Sequence, residues 1–286
     1  MTAAIVPVAD GVAAKVWASA TGRIGVVLVA LVLAMAVLAP LIAPANPNAI
    51  DVSNRFAEPG LAAPMGTDHL GRDLLSRVLH GAQIAMVVAL AVIALSLTIG
   101  TALGIAAAYA PARTERLFLI VFDVISSFPS LVLALAMVAI LGPSLGNVIS
   151  IVSITFIPHF GRVARAQVLT LKTAPFLEAS RAIGVSRLRL VLVHIVPNIM
   201  GPLVVLASMD VPVVITIEAS LSFLGVGVRP PLASWGTLLY DGYSYLTQSF
   251  WPVLFAGLAL SVATLGFTLF GEALRDAVDP KQRQVP

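Results

Sequence analysis

An all-α membrane protein with six transmembrane helices is the fold this sequence predicts, and three observations predict it. Of 286 residues, 59% are apolar and 11% charged, with mean hydropathy +0.99; an ordinary soluble domain is about a quarter charged. Uncharged runs recur at lengths that cross the ~30 Å hydrocarbon layer. The basic residues gather on one side of the resulting topology. Cysteine is absent, which excludes disulfide frameworks, Cys-ligated zinc, iron–sulfur clusters and thiol catalysis.

Residues 1–23 are a short polar start with Lys15 and Arg23, and residues 24–43 are an uncharged first span. Twenty apolar residues exceed the usual apolar region of a cleaved signal peptide, and Pro40, Pro44 and Pro47 make a poor cleavage site, so this span is expected to be retained. Residues 44–81 form a polar excursion. Within it Thr67 or Asp68 is expected to cap a short interfacial helix with Leu70, Leu74 and Val78 on one face and Asp73 paired with Arg77. Residues 82–110 carry no charge and make the second span; Ser96, Gly100, Gly104 and Ala108 recur every fourth position as a seam for close helix approach. Further spans are expected at 117–141, 144–161, 198–217 and 250–271, leaving a five-helix core over 82–286 and a basic loop at 162–197.

Six spans place both termini on one side. The terminal and loop segments on that side hold thirteen of the seventeen Lys and Arg, and Arg55, Arg72, Arg77 and Arg229 lie opposite. Positive residues mark the cytoplasmic side, so both termini and the 162–197 loop are expected there, in a cell (inner or plasma) membrane. Trp235, Tyr240, Tyr243, Tyr245, Phe250 and Trp251 are expected to form an outer aromatic belt.

Several chemistries find no footing. A phosphate-binding P-loop needs Lys after Gly, whereas Lys15, Lys172 and Lys281 follow Ala14, Leu171 and Pro280. Gly142-Pro-Ser144-Leu-Gly146 fits the G-x-S-x-G pattern, but between two apolar helices it reads as a turn and not a nucleophile elbow. His69, His80, His159 and His194 lack metal-ligand spacing, and the basic residues are strung along membrane loops, which speaks against nucleic-acid binding. The chain is therefore expected to be no enzyme and to bind neither cofactor nor metal. Two intramembrane carboxylates stand out, because such residues usually face a bundle interior or a wet path. Asp123 lies near the basic Arg113–Arg116 loop and reads as structural. Asp210, at mid-span beside Pro212, is a candidate to line a pathway and attract a cation such as a peptide ammonium; the alternative is a carboxyl hydrogen-bonded within the bundle.

The segment Glu178-Ala179-Ser180 through Gly184 to Pro197 resembles the cytoplasmic coupling loop of ABC importer permeases. Three further stretches resemble the dipeptide/oligopeptide/nickel branch of that family: Pro64-Met-Gly66-Thr67-Asp68-His-Leu-Gly71-Arg72-Asp73-Leu-Leu-Ser-Arg77; Glu218-Ala-Ser-Leu-Ser-Phe-Leu-Gly225-Val-Gly227-Val-Arg-Pro230-Pro231 with Ser234-Trp235-Gly236; and Gly271 through Pro280. The amino-terminal span suits the C-type permease subunit. His194, three residues before Pro197 where the general motif often has an apolar residue, matches the same branch.

The resemblance implies a type I importer permease fold and a partner list: a second permease, two cytoplasmic ATPase subunits that hold ATP and Mg, and an extracytoplasmic substrate-binding protein. It implies peptides as solutes, with nickel or another solute open. In the coupling loop Phe176, Ala179 and Ile183 form an apolar stripe for a partner groove, Glu178 can pair with a base there, and Gly184 permits a turn. Arg181, Arg187 and Arg189 could equally anchor the loop to anionic lipid. The rival from another class is an ion-coupled secondary transporter using Asp123 and Asp210.

Overall fold

The computed structural model describes residues 8–278, and these are mostly helical. The elements are α1 (Val8–Ala18), α2 (Ala20–Ile42), α3 (Leu74–Tyr109), α4 (Ala112–Ser126), α5 (Ser130–Leu141), α6 (Leu145–Leu171), α7 (Pro175–Ala182), α8 (Arg187–Arg189), a π-helical stretch Leu190–Ile195, α9 (Val196–Phe223), α10 (Trp235–Ser244) and α11 (Trp251–Val278). Among the described residues five helical segments are long and apolar enough to cross a membrane. The bent pair α4 and α5 makes a sixth.

The expected interfacial helix does not exist as a separate element. Helix α3 is one rod of 36 residues that begins at Leu74, and Asp73 caps it by accepting the Ser76 amide at 2.7 Å. Thr67 and Asp68 are instead consumed by the turn before it. Asp73 does not pair with Arg77, whose guanidinium turns to Asp68 at 3.5 Å.

The third predicted span is broken. Ser127-Phe128-Pro129 separates α4 from α5 with an 85° bend, because Pro disfavours helical backbone at the residue before it. Helices α6, α9 and α11 all run past their predicted ends, so Arg162 and Arg165 continue α6 and Glu218 lies within α9.

The α3–α6 interface is the most extensive in the bundle. In lipid, helices associate through close packing and not through exclusion of water. The predicted small-residue seam serves that end: a Cβ on Gly104 would stand 2.3 Å from the Gly161 carbonyl, and Ser96 donates to the Ser153 carbonyl at 3.0 Å. On the opposite flank α11 packs on α2 and α9. Val37, Leu41 and Ile140 are left fully outward, as lipid-facing positions should be. Gly142 to Ser144 form the turn between α5 and α6, and the Ser144 hydroxyl accepts the Asn147 amide as a helix cap.

Candidate functional site

Three places gather the predicted residues. The first is built on the turn Gly66–Asp73. Gly66 and Gly71 have φ of +79° and +75°, and a Cβ on Gly71 would collide with the Asp51 carbonyl at 1.7 Å. Only glycine accepts both the conformation and the approach. Thr67 accepts the Ala57 amide at 2.9 Å and donates to the Asn54 carbonyl. Asp51 organises the adjoining loop through Ser53 and Asn54, whose hydrogen bonds lower its pKa.

Asp68 is the hub of this place. It is 1% exposed and accepts the Leu70 and Arg72 amides and the Arg72 Nε–H at 2.6 Å, with Arg77 beyond. Arg72 reaches on to Asp241 of α10 at 3.3 Å. Burial raises the Asp241 pKa, against the lowering pull of the neighbouring His69 and of Arg72 and Arg77. Ligand atoms of Asp68, His69 and Asp241 lie within 4.8 Å of one another. Two guanidiniums already neutralise these carboxylates, so the donor set fits an ion-pair network and not a cation site.

Trp235 departs from its expected place in an aromatic belt. It is 1% exposed and plugs the bundle, donating Nε1–H to the Val78 carbonyl at 3.0 Å beside Gly81. Tyr240, Tyr243 and Phe250 do remain outward. Ser234 and Thr237 cap α10 reciprocally. Gly225 turns the chain out of α9 at φ +78°, Gly227 packs on Ser222, and Pro230 and Pro231 are exposed. Glu218 is buried with one oxygen taking the Ser222 hydroxyl at 2.7 Å and the other unpartnered.

The second place lies within the bundle. Asp210, 7% exposed, meets His159 Nδ1 at 3.0 Å. The imidazole is half-exposed and lines, with Ser126, Ser130, Thr155 and Arg162, a cavity of about 240 Å³ beside the α4–α5 break. Asp123 is 71% exposed and pairs with Arg162 at 3.3 Å. The two predicted carboxylates therefore do different things, and neither stands alone. Sequence reading missed His159 as a partner because 51 positions separate it from Asp210; it missed Asp241 for the same reason.

The third place is the segment 175–197. Phe176, Glu178, Ala179, Ile183, Gly184 and Pro197 are exposed, Ser180 is half-buried, and Leu177 alone anchors α7 in the core. Ile183 is 81% exposed. Gly184 adopts φ +80° with open space around it and closes the helix end, its amide bonding to the Arg181 carbonyl and Val185 to Ser180. The predicted second helix begins at Arg187 and runs without a break into α9 through the π-helical stretch that precedes Pro197. Phe176 meets His194 edge-on, ring centroids 6.4 Å apart. Of the terminal motif, Gly271 of α11 packs against Met209 of α9, and Asp279 and Pro280 lie outside the described residues.

Comparison with known proteins sets these places in a family. Residues 100–284 match the family described as binding-protein-dependent transport system inner membrane component, and residues 19–64 match the N-terminal TM domain of oligopeptide transport permease C. A putative peptide transport system permease of Brucella suis is 42% identical over 91% of this chain and 87% of its own length. The dipeptide transport system permease DppC of Escherichia coli is 39% identical, with 91% and 89% covered. The probable D,D-dipeptide transport system permease DdpC of that species is 38% identical, with 89% and 86% covered. In structure, the inward-facing MetNI methionine ABC transporter contains a chain that superposes with TM-score 0.58 at 18% identity, over 71% of this chain and 96% of that one. The chain belongs to the binding-protein-dependent transport system inner membrane component family, as a multi-pass membrane permease.

Proposed function

We propose that this permease forms half of the translocation pathway of an ATP-driven importer of di- and oligopeptides. The observation that carries it is identity near 40%, over about nine-tenths of the chain, with permeases named for peptide transport. On this reading a second permease completes the pathway and two ATPase subunits on the basic side hold ATP and Mg. A binding protein delivers solute from the side of Arg72 and Pro230, and both termini lie with the ATPases. Helix α7 offers Phe176, Ala179 and Ile183 to an apolar groove of an ATPase and Glu178 to a base beside it, with Gly184 setting the angle. None of the relatives bears the ion-coupled alternative out. The test is co-expression with a second permease, ATPases and binding protein: a stable complex and peptide-stimulated, ATP-dependent uptake are expected, and gradient-driven uptake by this chain alone would overturn the reading.

Asp210 acts in this pathway through His159. In the tautomer that donates Nδ1–H to the buried carboxylate, Nε2 is left as an acceptor backed by the Asp210 charge, on a ring that lines the cavity. That arrangement suits a peptide ammonium. Asp210→Asn is expected to raise KM about ten-fold, equivalent to ~1.4 kcal/mol, for peptides with a free amino terminus while sparing N-acetylated ones. Equal effects on both would remove Asp210 from solute recognition.

A further inference from the structure

A groove of about 870 Å³ opens between the last turn of α3, the end of α6, and the end of α7 with the segment that follows it. Its apolar lining includes Ile105, Leu188 and Val191, and its polar lining is cationic: Lys172, Arg181 and Arg187. No carboxylate lines it. Among the described residues Arg181 and Arg187 form no ion pair, and the Lys172 ammonium is held against the Ala108 carbonyl, 4.3 Å from the Tyr109 ring centroid. Lys172 is thus fixed in place without an ion pair of its own among the described residues; burial lowers its pKa, Glu115 opposes that, and Arg181 adds to it.

Three cations at the rim of an apolar trough ask for an amphiphile with an anionic head. A soluble anion would leave the trough wet, and an apolar chain would leave the cations without a counter-charge. The groove lies at the inner ends of two membrane helices, where a leaflet's headgroups meet its acyl chains. We propose that it is a binding site for one anionic phospholipid, the phosphate held among Lys172, Arg181 and Arg187 and an acyl chain laid along Ile105, Leu188 and Val191. The lipid would brace the coupling segment against α3 and α6 from behind, leaving Phe176 and Ile183 free. The proposal rests on the orientation given above, with this end of the bundle in the cytoplasmic leaflet.

The test uses the complete complex in detergent, offered equimolar phosphatidylglycerol and phosphatidylcholine of identical acyl chains, with bound lipid counted by native mass spectrometry. One retained phosphatidylglycerol per copy of this chain is expected. Lys172→Gln combined with Arg187→Gln should weaken its retention roughly 25-fold, on the order of five-fold per charge. Arg187→Gln alone, which spares the Lys172 contact with α3, should weaken it about five-fold, and Arg189→Gln, outside the groove, should change nothing. Retention unchanged in Arg187→Gln, or displacement by glycerophosphate at equal concentration, would overturn the site while leaving an assembled, ATP-hydrolysing complex to support the importer. Lipid bound by the permease pair but excluded from the full complex would assign the groove to an ATPase surface and equally overturn it. Failure of any complex to assemble would count against the importer reading itself, and lipid counts on the isolated chain would still decide the site.

Discussion

The turn at 66–77 and the segment at 175–197 both carry family motifs, yet they use them in opposite ways. In the 66–77 turn nearly every motif residue points into the fold: Asp68 is buried under two arginines, Gly71 touches the Asp51 carbonyl, and Trp235 plugs the space beside Gly81. In the 175–197 segment the motif points away from the fold, with Ile183 and Phe176 exposed and Gly184 in open space. One motif specifies a shape, and the other displays a contact. Loss of stability and loss of partner binding should therefore separate cleanly between them.

The sharpest break comes from Asp68→Ala. It would strand buried Arg77 beside Arg72, and breaking a buried pair costs about 3–5 kcal/mol, so the purified permease should show a strongly lowered Tm and poor yield. Gly71→Ala follows. The left-handed conformation alone costs on the order of 1–2 kcal/mol, and the collision with Asp51 adds to it. Gly184→Val meets the same conformational cost without a collision, so the chain should insert and fold, with coupling of ATP hydrolysis to transport reduced. If Gly184→Val instead lowered Tm as much as Gly71→Ala, the contrast between the two regions would collapse.

The smallest effect is expected at Asp241. Its folded pKa is raised by burial, so the stability it contributes is fully present below the ordinary carboxylate value of 3.8 and is lost as pH rises through its elevated value. The wild-type protein should gain thermal stability on acidification through that window, and Asp241→Asn should lack the gain. Near neutral pH the substitution should change stability by less than about 1 kcal/mol, since the lost 3.3 Å pair is offset by relief of a buried charge.

How much of this was legible beforehand follows the range of each interaction. Spans are read from runs of apolar residues, and the seam at Ser96, Gly100 and Gly104 from a four-residue period, so both are local. The Gly184 turn and the exposed stripe beside it are local too. The start of α3 was misread because Thr67, Asp68 and Asp73 can all cap a helix; long-range pairing of Asp68 with Arg77 and the link through Arg72 to Asp241 leave Asp73 to do it. The α4–α5 bend had a local sign in Phe128-Pro129, hidden inside a run whose hydropathy alone suggested one span. The His159–Asp210 pair had none, since the alignment of α6 on α9 brings the two together.

The unbroken course of α3 has a mechanical meaning. At 36 residues the rod is about 54 Å long, well beyond the hydrocarbon it crosses. Its first turns are clamped by Asp68 and Trp235, and the Ala108 carbonyl in its final turn holds Lys172 at the rim of the basic groove. A stiff strut fastened at both ends cannot tilt at one without displacing the other. Movement imposed on the 175–197 segment would therefore arrive at the 66–77 turn as a rigid translation, with no hinge along the way to absorb it.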